Sequence, residues 1–362
     1  MSKIDAFNPD LPLTEAPTPP ASWYTDSDIF EMEKRSVFAR AWQYVGHTGQ
    51  VQNPGDYFAD RFLGEPYVVV RGEDGQLRAF YNVCRHHAAC VAQGQGNTDL
   101  LVCPYHGWAY RLDGSLRRAP RLGQVENFEP DKFGLVPLPL EQWGPLLFAH
   151  FGTPERSFAE EMAGLESHID PSDLESLRFV RRETYELACN WKVFVDNYLD
   201  GGYHVEYLHK GLAGQLDLKN YSTQLYDRFS IQACGAGKAD ETQGVDFAER
   251  LGGGAAYAWL YPNLMLNRYG PIMDLNWVVP LAPDRCLTVF DYWFASDCHD
   301  DFIEKSLTAS RQVQHEDVGI CESVQVGLNS KAYDTGRYAP MIEMGEYHFH
   351  RLLHADLKAT EC

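Results

Sequence analysis

The chain has 362 residues and carries 31 Lys and Arg against 51 Asp and Glu, a formal charge of −20. That length supports about two domains with their own cores, and 44% hydrophobic with 23% charged residues is ordinary for a globular protein. The acidic balance argues against nucleic acid or an anionic membrane as partner, and no apolar run approaches the length of a membrane span. The nine cysteines follow no disulfide framework, which fits a reducing compartment. No basic segment leading into an apolar one opens the sequence, so the cytoplasm is the expected location.

Residues 1–22 are polar and Pro-rich and read as an arm or a disordered lead. Trp23–Arg40 reads as a helix, with Asp26 or Ser27 as cap and Ile29, Met32, Val37 and Phe38 as apolar positions. From about Gln43 the period changes. Tyr57–Ala59, Tyr67–Val70, Leu77–Phe80 and Ala109–Leu112 look like short strands, the last leading into the hairpin signal Asp113-Gly114. This meander ends near Pro145–Phe151. Beyond it helices and strands mix: Tyr257–Tyr261 and Leu287–Phe294 read as strands, and Phe302–Leu328 and Tyr347–Leu357 as helices. The expected organisation is an arm and helix at 1–42, a small all-β domain at 43–152, and an α+β domain at 153–362.

The β meander carries Cys84-Arg85-His86 and Cys103-Pro104-Tyr105-His106. Two thiolates can hold one iron of a [2Fe–2S] cluster and two imidazoles the other. Imidazole in place of thiolate removes negative charge and raises the reduction potential, the Rieske arrangement. A zinc site is the alternative for such ligands. Gly107 and Trp108 favour the cluster, since Pro and Gly allow tight turns and aromatics shield it. His87 is expected at the rim rather than as a further ligand.

A second metal site is expected in the last domain. His204 and His209 are five apart, and on a regular helix they would point about 140° apart. Gly201-Gly202 and the Gly211–Gly214 stretch break that helix, so both rings can converge. A ferrous oxygenase site needs two His and one carboxylate on one face of an octahedron. Asp317 is the candidate, on a helical face with Val313, Ile320, Cys321 and Val324, where an unpaired acid would be costly. Glu316 reads as solvated, and Glu322 as the fallback ligand.

Together these residues resemble the large subunit of the Rieske non-haem iron oxygenases across nearly the whole chain. Asp196-Asn-Tyr-Leu-Asp-Gly-Gly-Tyr-His-Val205, Glu316–Gln325 and Gly336–Pro340 resemble the branch of choline monooxygenase and related quaternary-amine monooxygenases and demethylases. The resemblance implies a helix-grip (START-like) catalytic domain, a homotrimer, a Rieske [2Fe–2S] cluster, a mononuclear Fe(II), and electrons from NAD(P)H through a flavin/iron–sulfur reductase. It places Asn197 near the iron. In many relatives an Asp three residues before the first iron His bridges the two metal centres. Gly201 stands there, and Asp200, one residue earlier, is expected to bridge to a cluster His of a neighbouring subunit. Glu206 stands where plant relatives usually have Pro.

The implied reaction hydroxylates a small quaternary ammonium compound with O2: choline at its alcohol carbon, or a betaine at an N-methyl group. Aromatic faces hold a trimethylammonium group. Tyr257, Trp259 and Tyr261 share a strand face, and Tyr203, Phe290, Tyr292 and Trp293 complete the expected lining. Two other readings are an oxygenase for an aromatic acid with the same metal centres, and an electron-transfer protein with no oxygenase activity. Arg or Lys in the pocket would favour the anionic aromatic; acids and aromatics favour a cation.

Overall fold

The structure is a computed structural model and describes residues 3–209, 220–235 and 254–359. It divides into two compact units, Ala39–Glu155 and the combination of Met1–Phe38 with Arg156–Cys362.

The first unit is built of short antiparallel strands: β1 (Trp42–His47), β2 (Asp56–Phe62), β3 (Glu65–Arg71), β4 (Leu77–Tyr81), β5 (Gln95–Asn97), β6 (Leu101–Val102), β7 (Ala109–Tyr110), β8 (Leu116–Arg118), β9 (Pro137–Leu138), β10 (Leu140–Trp143) and β11 (Leu146–His150). They form three sheets, ordered β5-β2-β3-β4-β9, β6-β7-β8 and β1-β11-β10. The β2–β3 hairpin turns on Leu63 and Gly64, at φ +50° and +90°, the left-handed pair that a tight hairpin requires. Val68, Val70, Phe80, Trp108, Tyr110 and Leu135 pack into one core with the thiols of Cys84 and Cys103.

The second unit is a helix-and-sheet layer. Among the described residues its sheet has seven antiparallel strands in the order β12-β18-β17-β16-β15-β14-β13. These are β12 (Leu177–Leu187), β13 (Ser222–Leu225), β14 (Phe229–Gly235), β15 (Gly254–Leu260), β16 (Leu264–Tyr269), β17 (Ile272–Ala282) and β18 (Arg285–Ala295). The helices that matter here are α1 (Ser22–Thr25), α2 (Ser27–Ser36), α3 (Trp191–Leu199), α4 (Val205–Leu208), α5 (Asp300–Leu328) and α6 (Met344–Lys358). The long helix α5 is tied to the sheet by Tyr292 and Ser310, whose hydroxyls lie 2.8 Å apart, and by the pair Arg311–Glu183 at 2.6 Å. Helices α2 and α3 are joined by Lys192 Nζ and Glu33 Oε1 at 2.6 Å, with both side chains fully buried.

Of the arm and the disordered lead left open for residues 1–22, the described part is an arm: Ile4, Phe7 and Ala16 are buried, and the Phe7 ring lies 5.5 Å from Trp23 and 6.2 Å from Tyr347. Two expectations change. The expected single helix over 23–40 is broken at Asp26, whose backbone is extended and whose side chain accepts from the Asp28 amide to start α2. On α5, Ile320 and Val324 are 38% and 44% exposed, while the buried stripe runs through Ser306, Ser310, Gln314, Asp317, Cys321 and Gln325. The apolar count misread that face because between Ser310 and Gln325 the buried side of α5 carries small and polar side chains, its large apolar ones, Ile303, Leu307 and Leu328, lying toward the two ends.

Candidate active site

Two loops of the first unit have one geometry despite different ligand spacing. In the first, the Cys84 amide donates to Ala89 O at 2.9 Å and the Ala88 amide to Cys84 O at 3.0 Å. In the second, the Cys103 amide donates to Trp108 O at 2.8 Å and the Gly107 amide to Cys103 O at 3.0 Å. Ala88 and Gly107, the equivalent positions, are both left-handed, at φ +62° and +72°. Both thiols are buried, and His106 is exposed. The two imidazoles face one another with ring centroids 4.7 Å apart, and the indole of Trp108 stacks on His86 at 4.9 Å. The Tyr110 hydroxyl lies 3.3 Å from Cys84 Sγ and is fixed by the Arg85 amide at 2.9 Å. Burial pushes the Cys103 thiol up, against the backbone amides of Tyr105 and His106 that favour its thiolate. His86 Nδ1 is buried without a hydrogen-bond partner. A buried orphan ring nitrogen needs a partner, and a metal supplies one, so these residues fit a [2Fe–2S] cluster. His87, exposed, lies at the rim with its ring 4.0 Å from that of His86.

The second unit gathers the other predicted ligands. Helix α3 ends at Leu199, and Gly201 and Gly202 follow at φ +70° and +78°. A Cβ on Gly201 would stand 2.6 Å from the Ile342 carbonyl oxygen, so only glycine fits. The reversal puts His204 at the start of α4 and His209 at its end, with ring centroids 5.0 Å apart. Asp317, one side chain from α5, completes the set: its Oδ1 is 3.2 Å from His209 Nε2 and 4.0 Å from His204 Nε2. Ligand atoms of the three lie within 4.8 Å of one another. The Gly211–Gly214 stretch lies outside the described residues.

An outer layer orients each of the three. Asp200 Oδ2 sits 2.6 Å from His204 Nδ1 and also accepts from the His204 amide, while its Oδ1 accepts from the amides of Gly202 and Tyr203. Glu316 Oε2 lies 2.7 Å from His209 Nδ1. Asn197 Nδ2 donates to Asp317 Oδ1 at 3.0 Å. With a carboxylate at each Nδ1, both rings keep that proton and turn the Nε2 lone pair toward Asp317, the tautomer a metal ligand needs. Glu316 is therefore not simply solvated. Glu322 accepts from the Ala188 amide and stands apart from the triad.

Beside the triad lies a cavity of about 190 Å³. Its sheet wall follows from register: Gln232, Tyr257, Asn267 and Asp274 are direct cross-strand partners on four neighbouring strands, and all line it. Asn267 Nδ2 donates to Asp274 Oδ1 and Asn276 Oδ1 at 2.6 Å each, and Tyr198 OH donates to Asn267 Oδ1 at 2.7 Å. Tyr269 OH also donates to Asp274. Tyr198, Tyr221, Tyr257, Tyr269, Phe194 and Phe290 supply aromatic faces, and no Arg or Lys lines the cavity among the described residues.

Of the aromatics expected from the sequence, Tyr257 and Phe290 line this cavity and the others do not. Trp259 and Tyr261 share Tyr257's strand face but lie farther along it, by ~7 Å per two residues, and pack on Phe349 of α6 at 5.4 and 6.4 Å. Tyr292 continues the Asp274 row beneath α5, and Trp293 faces the other side of the sheet against Phe179 at 5.4 Å. Tyr203 is 49% exposed. Asp274 and Asn276 went unread in the sequence, although two polar residues alternating within the apolar run Ile272–Val279 carry a period-two signal.

The Rieske [2Fe–2S] domain family matches residues 41–129, and the family of ring hydroxylating alpha subunits (catalytic domain) matches 174–358. The chain belongs to the Rieske non-haem iron oxygenases, as an oxygenase component whose cofactors are a Rieske [2Fe–2S] cluster and a mononuclear iron. Its relatives by sequence include monooxygenases. The chloroplastic choline monooxygenase of Arabidopsis thaliana is 45% identical over 98% of this chain and 86% of its own. The carnitine monooxygenase oxygenase subunit of Escherichia coli K12 is 35% identical over 94% of this chain and 93% of its own. Among solved structures, the quaternary ammonium Rieske monooxygenase CntA in complex with L-carnitine aligns at a TM-score of 0.84 and 29% identity, covering 96% of this chain and 97% of that one. No helix among the described residues is long and apolar enough to cross a membrane.

Proposed function

We propose that this protein hydroxylates a small quaternary ammonium compound, with choline the first candidate. The supporting observation is the cavity beside the triad: the Asp274 carboxylate and six aromatic rings line it, with no Arg or Lys among the described residues. Each aromatic face is worth roughly 0.5–2 kcal/mol toward a trimethylammonium group. A benzoate-type acid or the carboxylate of carnitine or a betaine would find no Arg or Lys among the described lining residues, whereas the hydroxyl of choline is neutral and suits the amides of Asn267, Asn276 and Gln232. The 45% identity to a choline monooxygenase supports the same choice.

In this reading Cys84, His86, Cys103 and His106 hold the cluster, and His204, His209 and Asp317 hold the iron. Held by these three side chains, a ferrous ion would supply the O2 activation that C–H hydroxylation needs. The chain's own residues orient the ligands through Asp200, Glu316 and Asn197, place the alcohol carbon of choline toward the triad, and exclude bulk water from it. Hydroxylation of that carbon gives the hydrate of betaine aldehyde. We assign to Asp200 the link to a neighbouring subunit's cluster in a homotrimer; a CntA structure is described as revealing inter-subunit electron transfer. A flavin/iron–sulfur reductase fed by NAD(P)H is the partner. The cytoplasm, which keeps thiols reduced, suits the thiolate ligands Cys84 and Cys103.

The test is coupled O2 consumption with a surrogate reductase, comparing choline, glycine betaine, carnitine and benzoate, with formaldehyde release as the mark of demethylation. Choline is expected to give the highest kcat/KM without formaldehyde. Asp274→Asn is expected to raise the KM for choline about tenfold or more, since a charge pair at ~4 Å is worth up to ~4 kcal/mol at an effective dielectric near 20. Coupled turnover with benzoate alone would overturn the reading.

A further inference from the structure

A second cavity, of about 210 Å³, shares the lining residue Asn197 with the first. Its rim includes Ile320, Val324 and Tyr333, which are 38%, 44% and 42% exposed, and its lining includes Asp196 and Glu346. It therefore runs from solvent to two carboxyl groups, one side chain away from the metal ligand Asp317, to which Asn197 donates at 3.0 Å. None of the ligand-holding or substrate-holding roles above uses these acids.

They belong to a built network. Tyr24 OH donates to Asp196 Oδ2 at 2.8 Å and lies 2.9 Å from His350 Nε2, and Tyr338 OH lies 2.7 Å from His350 Nδ1. Asp196 Oδ1 is buried and takes no directed hydrogen bond, although His350 Nε2 is 3.1 Å away. Asp196, Glu346 and His350 bring their polar atoms within 4.8 Å of one another. Burial, then Asp196, Glu343 and Asp200, hold the Glu346 carboxyl well above the usual range. Lys192, on the same helix as Asp196, is engaged by Glu33 at 2.6 Å.

Monooxygenation consumes protons: R–H + O2 + 2e− + 2H+ gives R–OH + H2O. The O–O bond breaks, one oxygen forms the new C–O bond, and the other leaves as water carrying both added protons, with the electrons coming from the reductase. We propose that the second cavity is the proton inlet of the oxygenase site, with Glu346 and Asp196 passing protons from solvent to water at Asn197. Tyr24, His350 and Tyr338 hold Asp196 in place for this. The proposal rests on the oxygenase class and is independent of which amine is hydroxylated.

The test uses the iron-loaded holoenzyme with a surrogate reductase. In Glu346→Gln, kcat is expected to fall roughly tenfold at unchanged KM, the solvent deuterium isotope effect to rise, and a larger share of O2 to leave as hydrogen peroxide. Iron content should be unchanged, and the infrared spectrum should lose a protonated-carboxyl band that the wild type shows at neutral pH. Val324→Phe, which narrows the rim and touches no charge, is expected to give the same kinetic pattern and guards against a folding defect in the first variant. Wild-type isotope effect and peroxide yield in both variants would overturn the proposal. So would absence of the carboxyl band from the wild type, which decides the matter even if no tested amine turns over. A metal beyond the cluster and the single iron, present in wild type and lost in Glu346→Gln, would overturn it in favour of a cation site.

Discussion

Removing Glu316 should loosen the mononuclear iron while leaving the cluster intact. Its Oε2 lies 2.7 Å from His209 Nδ1, and Gln312 donates to its other oxygen at 2.7 Å. Loss of such a partner from a metal-bound His costs about tenfold to a hundredfold in metal affinity, or ~1.4–2.8 kcal/mol. The Glu316 side chain is 27% exposed, so solvent screens part of its charge. Glu316→Gln still offers an oxygen to the Nδ1 proton and should sit at the lower end of that range. Glu316→Ala removes charge and acceptor together and should reach the upper end. The assay is iron per chain after equilibration with a graded series of a competing chelator, with the cluster followed by its visible absorbance. Wild type should hold about three irons, two of them in the cluster, and Glu316→Ala should fall to about two at a correspondingly lower chelator level. A Glu316→Ala protein that holds its third iron as tightly as wild type would refute the reasoning. The orientation of His209 would then come from packing alone.

Three other substitutions probe different layers. Tyr110→Phe removes the hydroxyl 3.3 Å from Cys84 Sγ; a hydrogen bond to cluster sulfur favours the more negative reduced state, so the potential should drop in an EPR-monitored redox titration. Glu33→Ala leaves the Lys192 ammonium buried and unpaired, which should cost about 3–5 kcal/mol in denaturant unfolding, whereas Glu33→Leu with Lys192→Met should recover much of it. Burial raises the Glu183 carboxyl, but hydrogen bonds from Arg311 and Tyr185 more than offset it, and the net position is lowered. A carboxyl lowered by folding stabilises above its unfolded pKa of ~4.3, and that stability is lost as pH falls through the folded value. Glu183→Gln should therefore be about 1 kcal/mol less stable at neutral pH, and the gap to wild type should close in acid; a gap constant with pH would reject the assignment.

Local chemistry made much of this protein readable from its sequence. Each Cys-His pair lies within one short loop, so spacing together with the flanking Gly107 and Trp108 marked the cluster motif, and the glycines at 201–202 marked where the helix reverses between His204 and the preceding segment. Strand positions in the β meander and the long helix ending at Leu328 followed from period and turn residues. The choice of Asp317 over Glu316 and Glu322 came from a face that the structure redraws: Ile320 and Val324 are exposed, yet Asp317 is buried and meets His204 and His209. What could not be read was anything set by the meeting of distant segments. Glu316 looks like an ordinary solvated residue until the fold places it 2.7 Å from His209, and Asp200 and Asn197, marked out only by the family resemblance, take their distances of 2.6 and 3.0 Å to His204 and Asp317 from the fold. The aromatics divided the same way. A strand's period of two says which residues share a face, so Tyr257, Trp259 and Tyr261 grouped together, but strand register and the position of α6 decided that only Tyr257 reaches the cavity. Period is a property of neighbours in sequence, whereas register and helix docking are fixed by long-range packing. For that reason the two metal chemistries could be read from the sequence, whereas only the tertiary structure brings Asp200, Glu316 and Asn197 to the expected ligands and sets which side chains line the pocket.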